Sequence, residues 1–147
     1  MSETTSETGE LTFTRIFNAP REVVFRCMIE PEHLTHFWGP TGVSTPIENI
    51  KIDPRPGGVF ETVMVNDADG AEYASRGVFV EVVEPERLVW KEASIDMTTT
   101  STFVDLGDGR TEVHIVQSNV PEHFSSAESQ AGFLSSLDRF EAHLATL

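Results

Sequence analysis

The stretch from Ser125 to Leu147 constrains this chain more than any other. Phe133, Leu137, Phe140, Leu144 and Leu147 recur at alternating steps of four and three residues. That spacing lines all five along one side of a helix. Ser125 with Glu128 three positions on has the form of a capping box, in which hydroxyl and carboxylate each satisfy an orphan N–H. The segment holds one glycine, Gly132, and no proline. Ser136, Asp138, Arg139 and His143 fall on the other side, which the spacing assigns to water. A lone amphipathic helix needs an apolar surface to cover, and the rest of the chain reads as a sheet that supplies it.

Leu11 to Phe17 alternates, with Leu11, Phe13 and Phe17 on one face and Arg15 interrupting it. Asn18-Ala19-Pro20 stops this strand, and Pro20 suits a first helical position. A helix is expected from Pro20 to about Ile29, with Val24, Phe25, Met28 and Ile29 inward. Pro31 ends it, and a short helix from Glu32 to Phe37 leads into the turn Trp38-Gly39-Pro40. The period then changes to two. Strands are expected at Ile47–Asp53, Val59–Val65, Tyr73–Val83, Arg87–Glu92, Met97–Leu106 and Thr111–Ser118. Turn sequences separate them: Pro54 to Gly58, Asn66 to Gly70, Glu84-Pro85-Glu86 and Gly107-Asp108-Gly109. Asp53 and Arg55 flank the first of these and are expected to pair. Short connections make the strands an antiparallel meander.

Residues 1–10 carry little apolar surface and read as a disordered tail, leaving 11–147 as one domain. The order β-α-α-β-β-β-β-β-β-α predicts an α+β fold: a curved antiparallel sheet wrapped around a long C-terminal helix. A twisted sheet of this size curls, and one helix laid across it leaves a hollow.

Charge narrows the partners. Lys and Arg number 10 against 24 Asp and Glu, a formal net charge of −14. Such a surface repels nucleic acid and anionic membranes and keeps the protein soluble. The single cysteine, Cys27, excludes an internal disulfide and suits a reducing compartment. With no membrane-length apolar run and no signal-peptide pattern, a cytoplasmic location is expected.

Several motifs, in order, carry a family resemblance. They are Arg15-x-Phe17-x-Ala19-Pro20, Val24-Phe25, Pro31-Glu32-His33-Leu34 and Phe37-Trp38-Gly39-Pro40. Asp53-x-Arg55-Pro56-Gly57-Gly58, Met64, Asp69-Gly70, Gly77-x-Phe79-x-Glu81-Val82 and Pro85-Glu86-Arg87-Leu88-Val89 follow. Thr111-x-Val113-x-Ile115-x-Gln117 and Gly132-Phe133-x-x-x-Leu137-Asp138-Arg139 complete the series. Over about residues 11 to 147 the chain resembles the activator of heat-shock-protein-90 ATPase homologue-like family, within the START-like (SRPBCC) superfamily. The resemblance implies a helix-grip fold with a cavity between sheet and terminal helix. In one place the chain departs from the family: Gly132-Phe133 stands where many members have Gly-Trp, so an indole N–H is lost there.

Strand parity points Phe60, Thr62 and Met64 into the hollow, with Ser75, Gly77 and Phe79 from the next strand. Trp90, Ser101, Phe103, Val113, Ile115 and Gln117 continue the wall. Phe133, Leu137 and Phe140 come down from the helix, and Trp38 stands at the mouth. An apolar wall with sparse hydroxyls and one amide suits binding or carriage of a small hydrophobic or aromatic molecule. A cavity enzyme is the alternative, with Glu81 as the one weak candidate base. Glu81 shares parity with Phe79, so either it points inward or the strand bulges before it. A chaperone-ATPase adaptor is the third class, implied by the resemblance. No cofactor is expected. His33 and His36 are spaced i, i+3, but no third metal ligand stands at suitable spacing. His114 is expected on an outer strand face, and His123 and His143 in polar surroundings. Cys27 reads as a small filler, since no motif lowers its pKa. Gln117 must find a partner or meet a ligand. The chain is expected to be a monomer or homodimer.

Overall fold

The computed structural model describes residues 4–7, 9–92, 95–122 and 125–147. In chain order the elements are β1 (Thr4–Glu7), β2 (Glu10–Phe17), α1 (Arg21–Cys27), α2 (Pro31–Phe37), β3 (Val43–Ser44), a 3-10 turn (Ile47–Asn49) and β4 (Lys51–Ile52). Then come β5 (Val59–Asn66), β6 (Glu72–Val83), β7 (Arg87–Glu92), β8 (Met97–Asp105), β9 (Thr111–Ser118) and α3 (Ala127–Leu144). The five strands of the meander and β2 lie within one residue of the expected spans. They form one antiparallel sheet in the order β1-β2-β9-β8-β7-β6-β5-β3, with β4 also on β5. The α+β helix-grip architecture is as expected: an open sheet with one long helix across its inner face.

Five local readings differ. The first concerns the tail, where Thr4–Glu7 pairs with β2 from Thr4↔Phe13 to Glu7↔Glu10. A backbone ladder needs no apolar side chains, which is why composition hides it. The second is Ile47–Asp53. Pro46, with φ −56°, opens a 3-10 turn, and only Lys51–Ile52 pairs with β5. Ile47 is exposed and Ile50 buried, a spacing of three rather than two. Third, α1 is shorter than expected: Pro20 is its extended N-cap and Cys27 its last residue. Pro31 explains the early stop, because the residue before a proline is driven out of the α region, and Glu30 sits at φ −109°, ψ 123°.

The fourth is the cap of α3. Ser126, not Ser125, caps it, accepting the Ser129 N–H at 3.1 Å. Glu128 instead places its charge in the first turn, near the positive end of the helix dipole. Leu147 lies beyond the helix and is exposed.

Aromatic contacts fix where α3 is packed tightly. Phe140 stacks on Phe37 with ring centroids 4.2 Å apart and meets Phe17 at 4.9 Å. Phe133, two turns earlier, meets Phe13 at 4.4 Å. Phe25 of α1 meets Phe103 edge-on at 5.3 Å. The C-terminal half of α3 is therefore the more tightly packed half. Leu137, Phe140 and Leu144 are buried, whereas Phe133 is only half-buried.

The side of α3 assigned to water also differs. Asp138 is exposed, but Ser136, Arg139 and His143 turn toward α2 and the turn after it. Polar side chains here satisfy backbone carbonyls that α2 leaves open at its C-terminus. Arg15, the break in the β2 stripe, reaches the edge of α3, with Nη1 2.6 Å from Asp138 Oδ1.

Candidate functional site

The register of the strands builds the site. Phe60, Gly77, Glu92 and Met97 are consecutive cross-strand partners from β5 to β8. Phe79, Trp90, Thr99, Gln117 and Leu11 form the adjacent row from β6 to β2. The N-terminal half of α3 stands over these rows without filling the space. The result is a pocket of about 970 Å³, open to solvent.

Eight of the thirteen candidate residues line it: Trp38, Phe60, Thr62, Met64, Ser75, Trp90, Gln117 and Phe133. Ser101, Leu137 and Phe140 border a second void of only about 40 Å³, deeper under the helix, which Trp38, Trp90, Thr99 and Phe133 also touch. Phe79 and Phe103 line neither. Phe79 is buried flat against Phe60, 5.4 Å between centroids, and Phe103 is taken up by Phe25. They are core residues, because α1 covers β8 at Phe103 and the Phe60 ring covers Phe79.

The mouth depends on α3 gripping the turn after α2. Arg139 Nη1 donates to the carbonyls of Gly39 at 2.8 Å, Pro40 at 3.1 Å and Val43 at 3.2 Å. Ser136 Oγ donates to Phe37 O at 3.2 Å, and Thr41 N–H donates to Ser135 Oγ at 3.1 Å. Gly39 is required: its φ is +99°, and a Cβ there would lie 2.7 Å from both Met64 Sδ and Val43 Cγ2. This sutured turn carries Trp38 over the pocket, 5.1 Å from Phe60 and 6.4 Å from Trp90 between ring centroids.

Sparse polar groups punctuate the apolar wall. Thr62 is 2% exposed, and its hydroxyl has no hydrogen-bond partner among the described residues. Ser101 Oγ, in the deeper void, is likewise unpaired. Gln117 faces the pocket, half-buried, with no side-chain hydrogen bond to a described residue. It is not turned out into bulk solvent, as a pocketless fold would have it. A buried unpaired hydroxyl costs about 1–3 kcal/mol, so a partner from outside the chain is favoured at Thr62.

Glu81 is not part of the site. The β6–β7 register shifts between Phe79 and Glu81, the bulge that parity left open. Its half-exposed carboxylate pairs with Arg87 at the surface. Two carboxylates line the pocket instead: Glu128, in the first turn of α3, and Glu92, whose Oε1 accepts from Ser75 Oγ at 3.0 Å. It stands two residues from Trp90 on the same strand, so the parity that turns Trp90 inward turns Glu92 inward too. That signal was in the sequence.

The histidines are gathered differently from the i, i+3 reading. His33 Nδ1 lies 2.9 Å from His143 Nε2, and the His36 ring stacks on that of His143 at 4.9 Å. Burial, then the neighbouring His36 and His33, hold the His143 imidazole below its ordinary pKa. His114 is half-buried on β9, with Nε2 2.6 Å from Glu112 Oε2. His123 lies outside the described residues. Cys27 is buried, and that burial pushes its thiol up to about 11. Asp53 and Arg55 pair as expected, at 2.7 Å. Among the described residues no helix is long and apolar enough to cross a membrane.

Comparison with known proteins gives the same architecture. A protein of Chromobacterium violaceum of known structure is 27% identical, with 92% of this chain and 96% of that one covered and a TM-score of 0.84. One from Nitrosomonas europaea is also 27% identical, covering 93% and 94%, with a TM-score of 0.80. The AHSA1 protein of Silicibacter pomeroyi, 23% identical over 93% and 98%, superposes with a TM-score of 0.77 and so shares the fold. No curated protein matches the chain. The family model described as "Activator of Hsp90 ATPase homolog 1-like protein" matches residues 18–145. The chain belongs to that family.

Proposed function

We propose that this domain binds or carries a small, mainly apolar or aromatic molecule in the pocket beneath the N-terminal half of α3. The observation that supports it most is a single one. A pocket of about 970 Å³, walled by Trp38, Phe60, Trp90 and Phe133, is lined also by Thr62, whose buried hydroxyl has no partner among the described residues. Aromatic area supplies affinity, and an isolated donor-acceptor fixes orientation. Gln117 and Glu92 add an amide and a carboxylate, so a ligand with one or two hydrogen-bond donors fits this wall better than an anion. The net charge of −14 works in the same direction. A cytoplasmic site of action accords with the one free cysteine.

A thermal-shift screen of neutral, cationic and anionic aromatic compounds tests this reading. Neutral and cationic members should raise the melting temperature, and the Thr62→Val variant should lose much of the shift. If no member stabilises the protein, the reading fails.

Glu92 supports a second reading, that of a cavity enzyme. Its carboxylate lies on the wall beside Ser75. Turnover of a bound compound that Glu92→Gln abolishes, with binding retained, would establish it. The family name brings in a chaperone ATPase. A chaperone ATPase assay with and without the domain separates that activity from ligand carriage.

A further inference from the structure

Three helices meet at one corner, away from the pocket. Cys27 ends α1, His33 stands in the first turn of α2, and His143 stands in the last turn of α3. The Cys27 sulfur and one ring nitrogen of each histidine all lie within 4.8 Å of one another. The sulfur forms the floor, at 1% exposure, while both imidazoles are half-buried and leave a way in from solvent.

The second observation concerns orientation. Glu30 Oε1 lies 3.4 Å from His33 Nε2, on the far side of the ring from His143. A carboxylate on that side favours the tautomer with its proton on Nε2, which leaves the Nδ1 lone pair directed at the corner. Metal-ligating histidines are held by this kind of backing group. Across the corner, His143 Nε2 is 2.9 Å from His33 Nδ1. Two imidazole nitrogens so close cannot both present lone pairs, so either a proton or a cation must lie between them.

We propose that Cys27, His33 and His143 form a binding site for one borderline-soft divalent cation of the Zn²⁺ class. One thiolate and two imidazoles are the donor set such a cation selects over Mg²⁺ or Ca²⁺. Metal–sulfur and metal–nitrogen bonds of about 2.3 and 2.0 Å need side-chain shifts of about 1 Å. Three protein ligands leave the fourth tetrahedral position to water. Uptake is balanced by one proton: the Cys27 S–H bond breaks, the proton goes to solvent, and the sulfur bonds the metal. His143 keeps one N–H by moving it to Nδ1, and His33 keeps its own on Nε2. His36, stacked on His143, is not a ligand. The ligands come from three helices, one each from α1, α2 and α3, and not from the i, i+3 spacing on α2.

The test is titration of the full chain, stripped with chelator, first with Co²⁺ and then with Zn²⁺. One equivalent of Co²⁺ should produce a thiolate-to-cobalt charge-transfer band, and one equivalent of Zn²⁺ should remove it. Cys27→Ser should abolish the band and weaken Zn²⁺ binding about 100-fold or more. Glu30→Gln should weaken it about 10- to 100-fold, and His36→Gln should leave it unchanged. The band in the unmodified chain needs no variant to fold, so it decides the matter by itself. Its absence at saturating Co²⁺, or Zn²⁺ binding as tight in Cys27→Ser as in the unmodified chain, overturns the proposal.

Discussion

Arg139 Nη1 lies 2.8 Å from the carbonyl oxygen of Gly39, a residue 100 positions earlier in the chain. The same nitrogen also serves Pro40 and Val43. A planar cation is thus the clasp between the long helix and the turn that carries Trp38. Arg139→Ala should destabilise the protein by about 2 kcal/mol, the scale of hydrogen bonds to a charged group. Arg139→Lys should recover only part of it, because an ammonium cannot reproduce the fork. Urea unfolding of the three proteins reads this directly.

The two halves of α3 should respond differently to truncation. Phe140, 3% exposed and stacked on Phe37, borders only the void of about 40 Å³. Phe140→Ala should cost about 3–5 kcal/mol. Phe133 borders the pocket, so its side chain has fewer neighbours to lose, and Phe133→Ala should cost roughly half as much. Equal losses in denaturant titrations would contradict a hollow confined to the N-terminal half.

Thr62 offers a test in which stability and binding move in opposite directions. Its hydroxyl is buried and unpaired among the described residues. Replacing it by the methyl of Val removes a desolvated polar group, so Thr62→Val should stabilise the ligand-free protein by about 1 kcal/mol. The same change should weaken a ligand that bonds this hydroxyl. Loss of stability in calorimetry would mean the hydroxyl has a partner after all.

His143 sets a pH dependence. Burial, with His36 and His33 nearby, lowers its pKa from the ordinary 6.5, so the folded state favours the neutral ring. As pH falls through 6.5 the unfolded chain takes up the proton first, and stability declines. The decline ends once the folded ring is protonated too; above 6.5 this group contributes no slope. Chelator-treated protein should therefore lose stability on acidification from pH 7, and His143→Gln should show a shallower loss by urea unfolding across that range.

Most of the fold was legible because period and turn chemistry are local. Alternation placed six strands within a residue, and the Phe133–Leu144 stripe located the helix. What was not legible depends on tertiary partners. Ser136, Arg139 and His143 sit on the polar side of the α3 stripe, and only the position of α2 decides that this side is covered. Glu81 turned on a bulge that parity can propose but not locate. Phe79 and Phe103 share the parity of pocket residues, yet stacking on Phe60 and Phe25 takes them into the core. The Cys27–His33–His143 corner joins three helices, so no spacing in the chain announces it.

Both tryptophans of the chain, Trp38 and Trp90, line the pocket. Intrinsic fluorescence therefore reports on it with no label. Titration with a neutral aromatic probe such as N-phenyl-1-naphthylamine, followed by tryptophan quenching and energy transfer, tests the pocket most directly. The account predicts saturable quenching at one probe per chain, abolished in Gln117→Phe or Met64→Trp, which place a large side chain in the space. Unsaturable quenching, or equal binding by the filled variants, would contradict it.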